Sequence, residues 1–155
     1  MKKVAFLFTA LLLAVVVSAQ GTDFSGKWKL NSSKSKLNAE FSFAPKEVVI
    51  QQKGNDLSVE KHSSFQGNDF TVSDKFTLDG KECINEGWQG SKKKSTAVWS
   101  DGKKVLTITS KIPGPDGGDM TITEVFQMDG SNLIIESSAS SSYGDLNETM
   151  AYDKQ

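Results

Sequence analysis

The chain has one histidine, His62, one cysteine, Cys83, and no arginine. A hydrolytic nucleophile needs a base within hydrogen-bond reach, and a histidine base needs a group to orient it. The sequence around His62 offers no recognisable partner, and no serine sits in a Gly-x-Ser-x-Gly elbow. No spacing singles out a pair of carboxylates for acid–base work. His62 could ligate a haem iron, against the plainer reading of a surface histidine. Asp116 and Asp119 could share a cation, but the other hard oxygen ligands that calcium wants are missing. The expectation is a protein with no catalytic residues, no metal and no cofactor, with catalysis as the rival reading.

Stepping along the chain, Lys2 and Lys3 precede an uncharged apolar run, Val4 to Val17, and the small residues Ser18 and Ala19. That is the pattern of a signal peptide over residues 1–19, leaving one domain over 20–155 in a secreted or periplasmic location. The run is too short to span a bilayer and nothing later is longer, so no stable membrane insertion is expected. The charge balance of 18 basic against 19 acidic side chains becomes more negative without Lys2 and Lys3. Nucleic acid and anionic membranes need a basic patch, so neither is an expected partner. The run Lys92 to Lys94 reads as a solvated turn or strand end. Cys83, without a second cysteine, reads as a small buried side chain, the alternative being an intermolecular bridge. A monomer is expected.

Turn signals recur at Gly54-Asn55-Asp56, Gly67-Asn68-Asp69, Asp79-Gly80, Asp101-Gly102, Gly117-Gly118 and Asp129-Gly130. Between them lie segments that alternate or are rich in β-branched and aromatic residues, the pattern of hairpins. Strands are expected near 25–31, 46–53, 57–65, 70–78, 81–87, 92–100, 103–111, 119–128, 132–140 and 147–154. Ten short strands without a 3.6-residue apolar period make an all-β protein, a sandwich or, as sequential hairpins favour, an up-and-down antiparallel β-barrel. Ser32 to Pro45 lacks alternation and has room for one short helix at most.

The stretch Phe24-Ser25-Gly26-Lys27-Trp28-Lys29-Leu30 resembles the first strand of the calycins, the lipocalins and fatty-acid-binding proteins. The run KGNDLSVEKHSSFQGNDFTVSDKF, Lys53 to Phe76, is similar to the second-to-fourth-strand region of fatty-acid-binding proteins, and Thr149 to Lys154 to their closing strand. Secreted bacterial lipocalin-like domains that open with G-x-W-x-L-N and close with Y-D-K-Q are similar throughout. The resemblance implies that Gly26 lets the chain pass close to its neighbour and that Trp28 plugs the closed end. It also implies a departure: only Asn31 to Lys46 stand where the family has two lid helices, so the lid is reduced or absent.

Matched to the family, Leu57, Val59, Lys61, Ser63 and Phe65 face inward, as do Thr109, Val125, Ile135, Met150 and Tyr152. A slip of one residue would put Glu124 in place of Val125. The family's two carboxylate-gripping arginines fall at Val125 and Met150, while its tyrosine is kept as Tyr152. The ligand-contact set implied is Ser63, Phe65, Thr109, Val125, Ile135, Met150 and Tyr152. Small barrels are often filled by their own side chains, whereas ten strands leave a wider lumen. A ligand-sized lumen without arginine would take a small hydrophobic molecule, neutral, or an acid whose head stays at the mouth near Lys61 or Lys154. The alternative is a protein-interaction or inhibitor module using the outer wall, with Phe126 as its contact if outward. An inhibitory tail of Gln20 to Asp23 is too short to reach a protease site.

Overall fold

A computed structural model describes residues 20–40, 42–114 and 117–155. The expected signal peptide and Asp116 lie outside the described residues. Ten strands follow one another: β1 Gly26–Leu30, β2 Glu47–Lys53, β3 Asp56–Phe65, β4 Asn68–Thr77, β5 Cys83–Glu86, β6 Lys92–Trp99, β7 Leu106–Pro113, β8 Asp119–Asp129, β9 Asn132–Ser141 and β10 Gly144–Lys154. Each lies within three residues of its expected position. Short 3₁₀ turns at Trp88–Gly90 and Asp101–Lys103 are the only helical elements among the described residues. None of these is long and apolar enough to cross a membrane.

The strands form one antiparallel sheet in the order β4-β3-β2-β1-β10-β9-β8-β7-β6-β5. The pairing of β1 with β10 rolls the meander into a nearly closed barrel, with β4 and β5 as its two edges. Tight turns set the register. Phe65 pairs with Asn68, leaving Gln66 and Gly67 as a two-residue turn in which both φ angles are positive, 50° and 82°. That is the turn geometry whose twist suits a hairpin.

At Gly26 the φ of 149° and a hypothetical Cβ only 3.0 Å from Lys154 Cε explain why no side chain stands there. Trp28 beside it is buried, and its indole Nε1 donates to Phe24 O at 2.9 Å. Phe24, just ahead of β1, stacks on Trp99 at 5.8 Å and meets Phe126 edge-on at 6.1 Å. Below them the core fills one half of the barrel, with Ile50, Leu57, Val59, Leu106, Ile108, Leu133, Ile135 and Tyr152 buried.

Asn31 to Lys46 form no helix among the described residues. The segment continues the β1–β10 seam instead: Asn31 N–H donates to Ala151 O, and Lys36 exchanges two backbone bonds with Thr149. Leu37 and Ala44 then pack on the core, and the Tyr152 hydroxyl donates to Pro45 O at 3.2 Å. The reduced lid is therefore an extended strap, tied down by backbone bonds.

Candidate ligand chamber

Which face of each strand looks inward follows from the register, because directly paired residues share a face. On β3 and β4 the inward set is Leu57, Val59, Lys61, Ser63 and Phe65, opposite Phe76, Asp74, Val72, Phe70 and Asn68. On β8, β9 and β10 one inward row is Phe126, Ile135 and Met150, and the next is Glu124, Ser137 and Glu148.

Lys61 and Glu124 join across this interior. β3 and β8 are five strands apart whichever way the barrel is followed, so the two side chains rise from opposite walls. Lys61 Nζ donates to both Glu124 oxygens, at 2.6 Å to Oε2, with side-chain exposures of 18% and 13%. An ion pair so placed needs good geometry to offset its desolvation, and a two-oxygen contact supplies it. It forms a floor. Beneath lies the packed half of the barrel.

Above the floor the inward side chains are small or only half-buried: Ser63, Val72, Ile122, Ser137, Ala139 and Leu146. These side chains face inward by register and keep partial contact with solvent. The mouth of this chamber carries aromatic side chains. Phe43 of the strap stacks on Phe65 at 6.3 Å, and Phe70 beside them is exposed. Across the rim, Trp88, Ile112, Met120 and Tyr143 border a cleft of about 360 Å³.

The seam between β4 and β5 has no backbone ladder and is closed by side chains. Asn85 accepts from Lys75 N–H at 2.8 Å and donates to Lys75 O at 3.0 Å. Cys83 Sγ accepts from Thr77 N–H at 3.3 Å. Lys93 on β6 reaches over β5 to Asp74 on β4, at 2.6 and 2.7 Å from its two oxygens, with both residues buried. Ser95 and Ser110 hydrogen bond at 2.8 Å beside this pair.

Of the seven residues implied as ligand contacts, Ser63, Phe65, Ile135, Met150 and Tyr152 face inward. Ser63 lines the chamber and Phe65 its mouth, half-exposed, whereas Ile135, Met150 and Tyr152 belong to the packed half. Thr109 and Val125 face outward. Thr109 is a cross-strand partner of Thr123, and Val125 pairs with Glu136 on the outer wall. There Val125 borders a groove of about 380 Å³ with Thr123, Glu136, Ser138, Thr149 and Lys36, to which Ser137, Asn147 and Glu148 also contribute. Glu124, not Val125, is the inward residue, and Phe126 is fully buried rather than available to a partner.

Further corrections concern charge. Lys93, from the run expected to be solvated, is buried, because a strand alternates and Lys92 and Lys94 take the outer face. Lys154 sits at the Trp28 end, 5.3 Å from that ring, and not at the mouth. His62, outward as expected, has partners after all: Nε2 lies 2.7 Å from Glu60 Oε1, and Thr71 Oγ1 is 3.1 Å from Nδ1. Cys83 is half-buried on the seam. No group of three or more metal-ligating side chains occurs among the described residues.

A near-closed ten-stranded antiparallel meander with a tryptophan buried at one end is the architecture of the calycin fold. The chain has that fold in its fatty-acid-binding-protein form. It superposes on zebrafish ileal bile acid-binding protein complexed with cholic acid with a TM-score of 0.56 at 21% identity, covering 85% of this chain and 98% of that one. Echinococcus granulosus fatty-acid-binding protein 1 gives 0.55 at 14% identity over 84% and 96%. Caenorhabditis elegans lipid binding protein 8 gives 0.55 at 12% over 85% and 95%. No protein-family model matches the chain.

Proposed function

We propose that the protein is a secreted or periplasmic carrier that holds a small hydrophobic molecule in the mouth half of its barrel and performs no chemistry on it. One observation carries the reading. Ser63, Val72, Ile122, Ser137, Ala139 and Leu146 face inward above the Lys61–Glu124 pair, yet none is buried. Apolar wall there rewards an apolar occupant with about 0.8 kcal/mol per methylene removed from water. The similar structures are lipid- and bile-acid-binding proteins by name, which agrees with that use of the fold. The outer-wall interaction reading loses its anchor, since Phe126 is inside.

Displacement of a fluorescent apolar probe tests the reading, with Ala139→Trp as the control that fills the chamber. Binding should fall roughly tenfold or more in the variant while the unfolding midpoint is nearly unchanged, as expected when added bulk enters empty space rather than packed core. Equal binding by the variant would place the probe elsewhere and end the proposal. Native mass spectrometry of protein from its own host then identifies the cargo.

A further inference from the structure

Three inward carboxylates, Asp74, Glu124 and Glu148, lie between the ends of the barrel with two ammoniums, Lys61 and Lys93, while Lys154, on the same face by register, sits at the closed end over Trp28. Lys61 is taken by Glu124 and Lys93 by Asp74. Glu148 is left. It is only 7% exposed, and its Oε1 accepts the Asn38 backbone N–H at 2.9 Å. No lysine among the described residues makes an ion pair with it. A buried carboxylate held by a single amide bond is costly, and a cation beside it would lower that cost.

The neighbours of Glu148 extend the site. Glu148, Ser137 and Glu124 form one cross-strand row on β10, β9 and β8. With adjacent strands about 4.8 Å apart, the two glutamates stand roughly 10 Å from each other with the serine between them. Ser137 is half-buried, and its hydroxyl has no hydrogen-bond partner among the described residues. The burial of Tyr152, together with the negative charges of Glu124 and Glu148 near it, holds its phenol well above the ordinary tyrosine range. A bound carboxylate would add a further negative charge there. An ammonium would meet an acceptor row.

We infer that the chamber is built for an amphiphile with a cationic amine head, which binds at Glu148 and Ser137 with Glu124 beyond, while its apolar part occupies the space toward the mouth. This rests on the carrier reading and specifies the ligand class.

The test is a series with one chain length and three heads: dodecylamine, dodecanol and dodecanoate, each below its micellar concentration at neutral pH, competing with the fluorescent probe. The amine should bind about tenfold or more tighter than the acid, with the alcohol between, because a desolvated charge pair favours one sign. Glu148→Gln keeps the acceptor for Asn38 N–H. It should weaken the amine by roughly fivefold or more and leave the alcohol within about twofold, since only the charge is removed. Glu86→Gln on the outer face of β5 should change neither. Dodecanoate binding as tightly as dodecylamine, or an amine preference that survives Glu148→Gln, overturns the head-group assignment while leaving the carrier reading in place. Failure of all three to bind overturns the carrier reading and the assignment together.

Discussion

The side-chain amide of Asn85 pairs with both backbone groups of Lys75, accepting from the N–H at 2.8 Å and donating to the C=O at 3.0 Å. A side chain thus does at the β4–β5 seam what a neighbouring strand does elsewhere, satisfying polar groups that an open edge would leave to water. Asn85→Ala removes both bonds. The expected cost is about 1–3 kcal/mol, with faster amide exchange at Lys75 and little change at β8 and β9. Hydrogen exchange that rises uniformly over the barrel would show that the amide does not act locally at the seam.

The Lys93–Asp74 pair crosses the same seam from within. Lys93→Met strands a buried carboxylate and should cost about 3–5 kcal/mol in a urea melt. Asp74→Leu with Lys93→Met should recover most of that loss, because the desolvation cost disappears with the charges. A double variant as unstable as the single one would mean that the pair contributes more than it costs to bury.

Phe24 fixes the closed end, lying between Trp99 and Phe126 and accepting the Trp28 indole bond on its carbonyl. Phe24→Ala opens a cavity among aromatic rings and should lower stability by about 3–5 kcal/mol. Tryptophan emission should move to the red as Trp28 and Trp99 gain water. An unchanged spectrum would show that the plug does not depend on this ring.

Much of this architecture was legible in the sequence, and the failures have physical causes. The ten strands could be placed because most hairpins carry glycine or asparagine at the turn and β-branched residues on the arms, although the β9–β10 turn is Ser142-Tyr143. The phase of β3 was legible too, since Leu57 and Val59 mark the inner face. On β7 the alternation Leu106, Ile108, Ser110, Ile112 also names the inner face, and only the match to a distant family points Thr109 inward. On β8 the inner row Ile122, Glu124, Phe126, Met128 is more apolar than the opposite phase of Thr121, Thr123, Val125 and Gln127, and only the match to a distant family points Val125 inward. Glu124 is tolerated because Lys61, 63 residues away, meets it. No local pattern announces a contact at that separation. Lys93 was missed for the same reason, its partner Asp74 lying 19 residues back on a strand that does not pair with its own.

Tyr152 makes stability sensitive to alkali. Burial first, then the charges of Glu124 and Glu148, raise its folded-state pKa above the unfolded value. A raised pKa means that the folded state holds the proton longer. The contribution is therefore whole below about pH 10, the free phenol's value, and is lost as pH climbs from there toward the folded value, at up to about 1.4 kcal/mol per pH unit. Tyr152→Phe should remove this alkaline limb and cost about 1 kcal/mol at neutral pH through the lost bond to Pro45 O. Parallel alkaline limbs in urea melts of both proteins would show that other groups set the fall.

The Lys61–Glu124 floor determines how deep a ligand can reach. Glu124→Gln alone leaves Lys61 as an uncompensated charge with 18% of its side chain exposed, and should destabilise the protein by up to about 3 kcal/mol, less than for a fully buried pair because water still reaches it. Lys61→Met with Glu124→Leu removes both charges and should return stability close to the original. The packed core beneath is unchanged in that variant, so the chamber gains an apolar floor but little depth. Binding of dodecanol should then tighten, with each newly contacted methylene worth up to about 0.8 kcal/mol, while chains much longer than the chamber gain nothing more. Isothermal titration with alcohols of increasing length reads this directly. A double variant that accepts ever longer chains would mean that the ion pair, and not the aromatic and aliphatic core below it, sets the depth of the lumen.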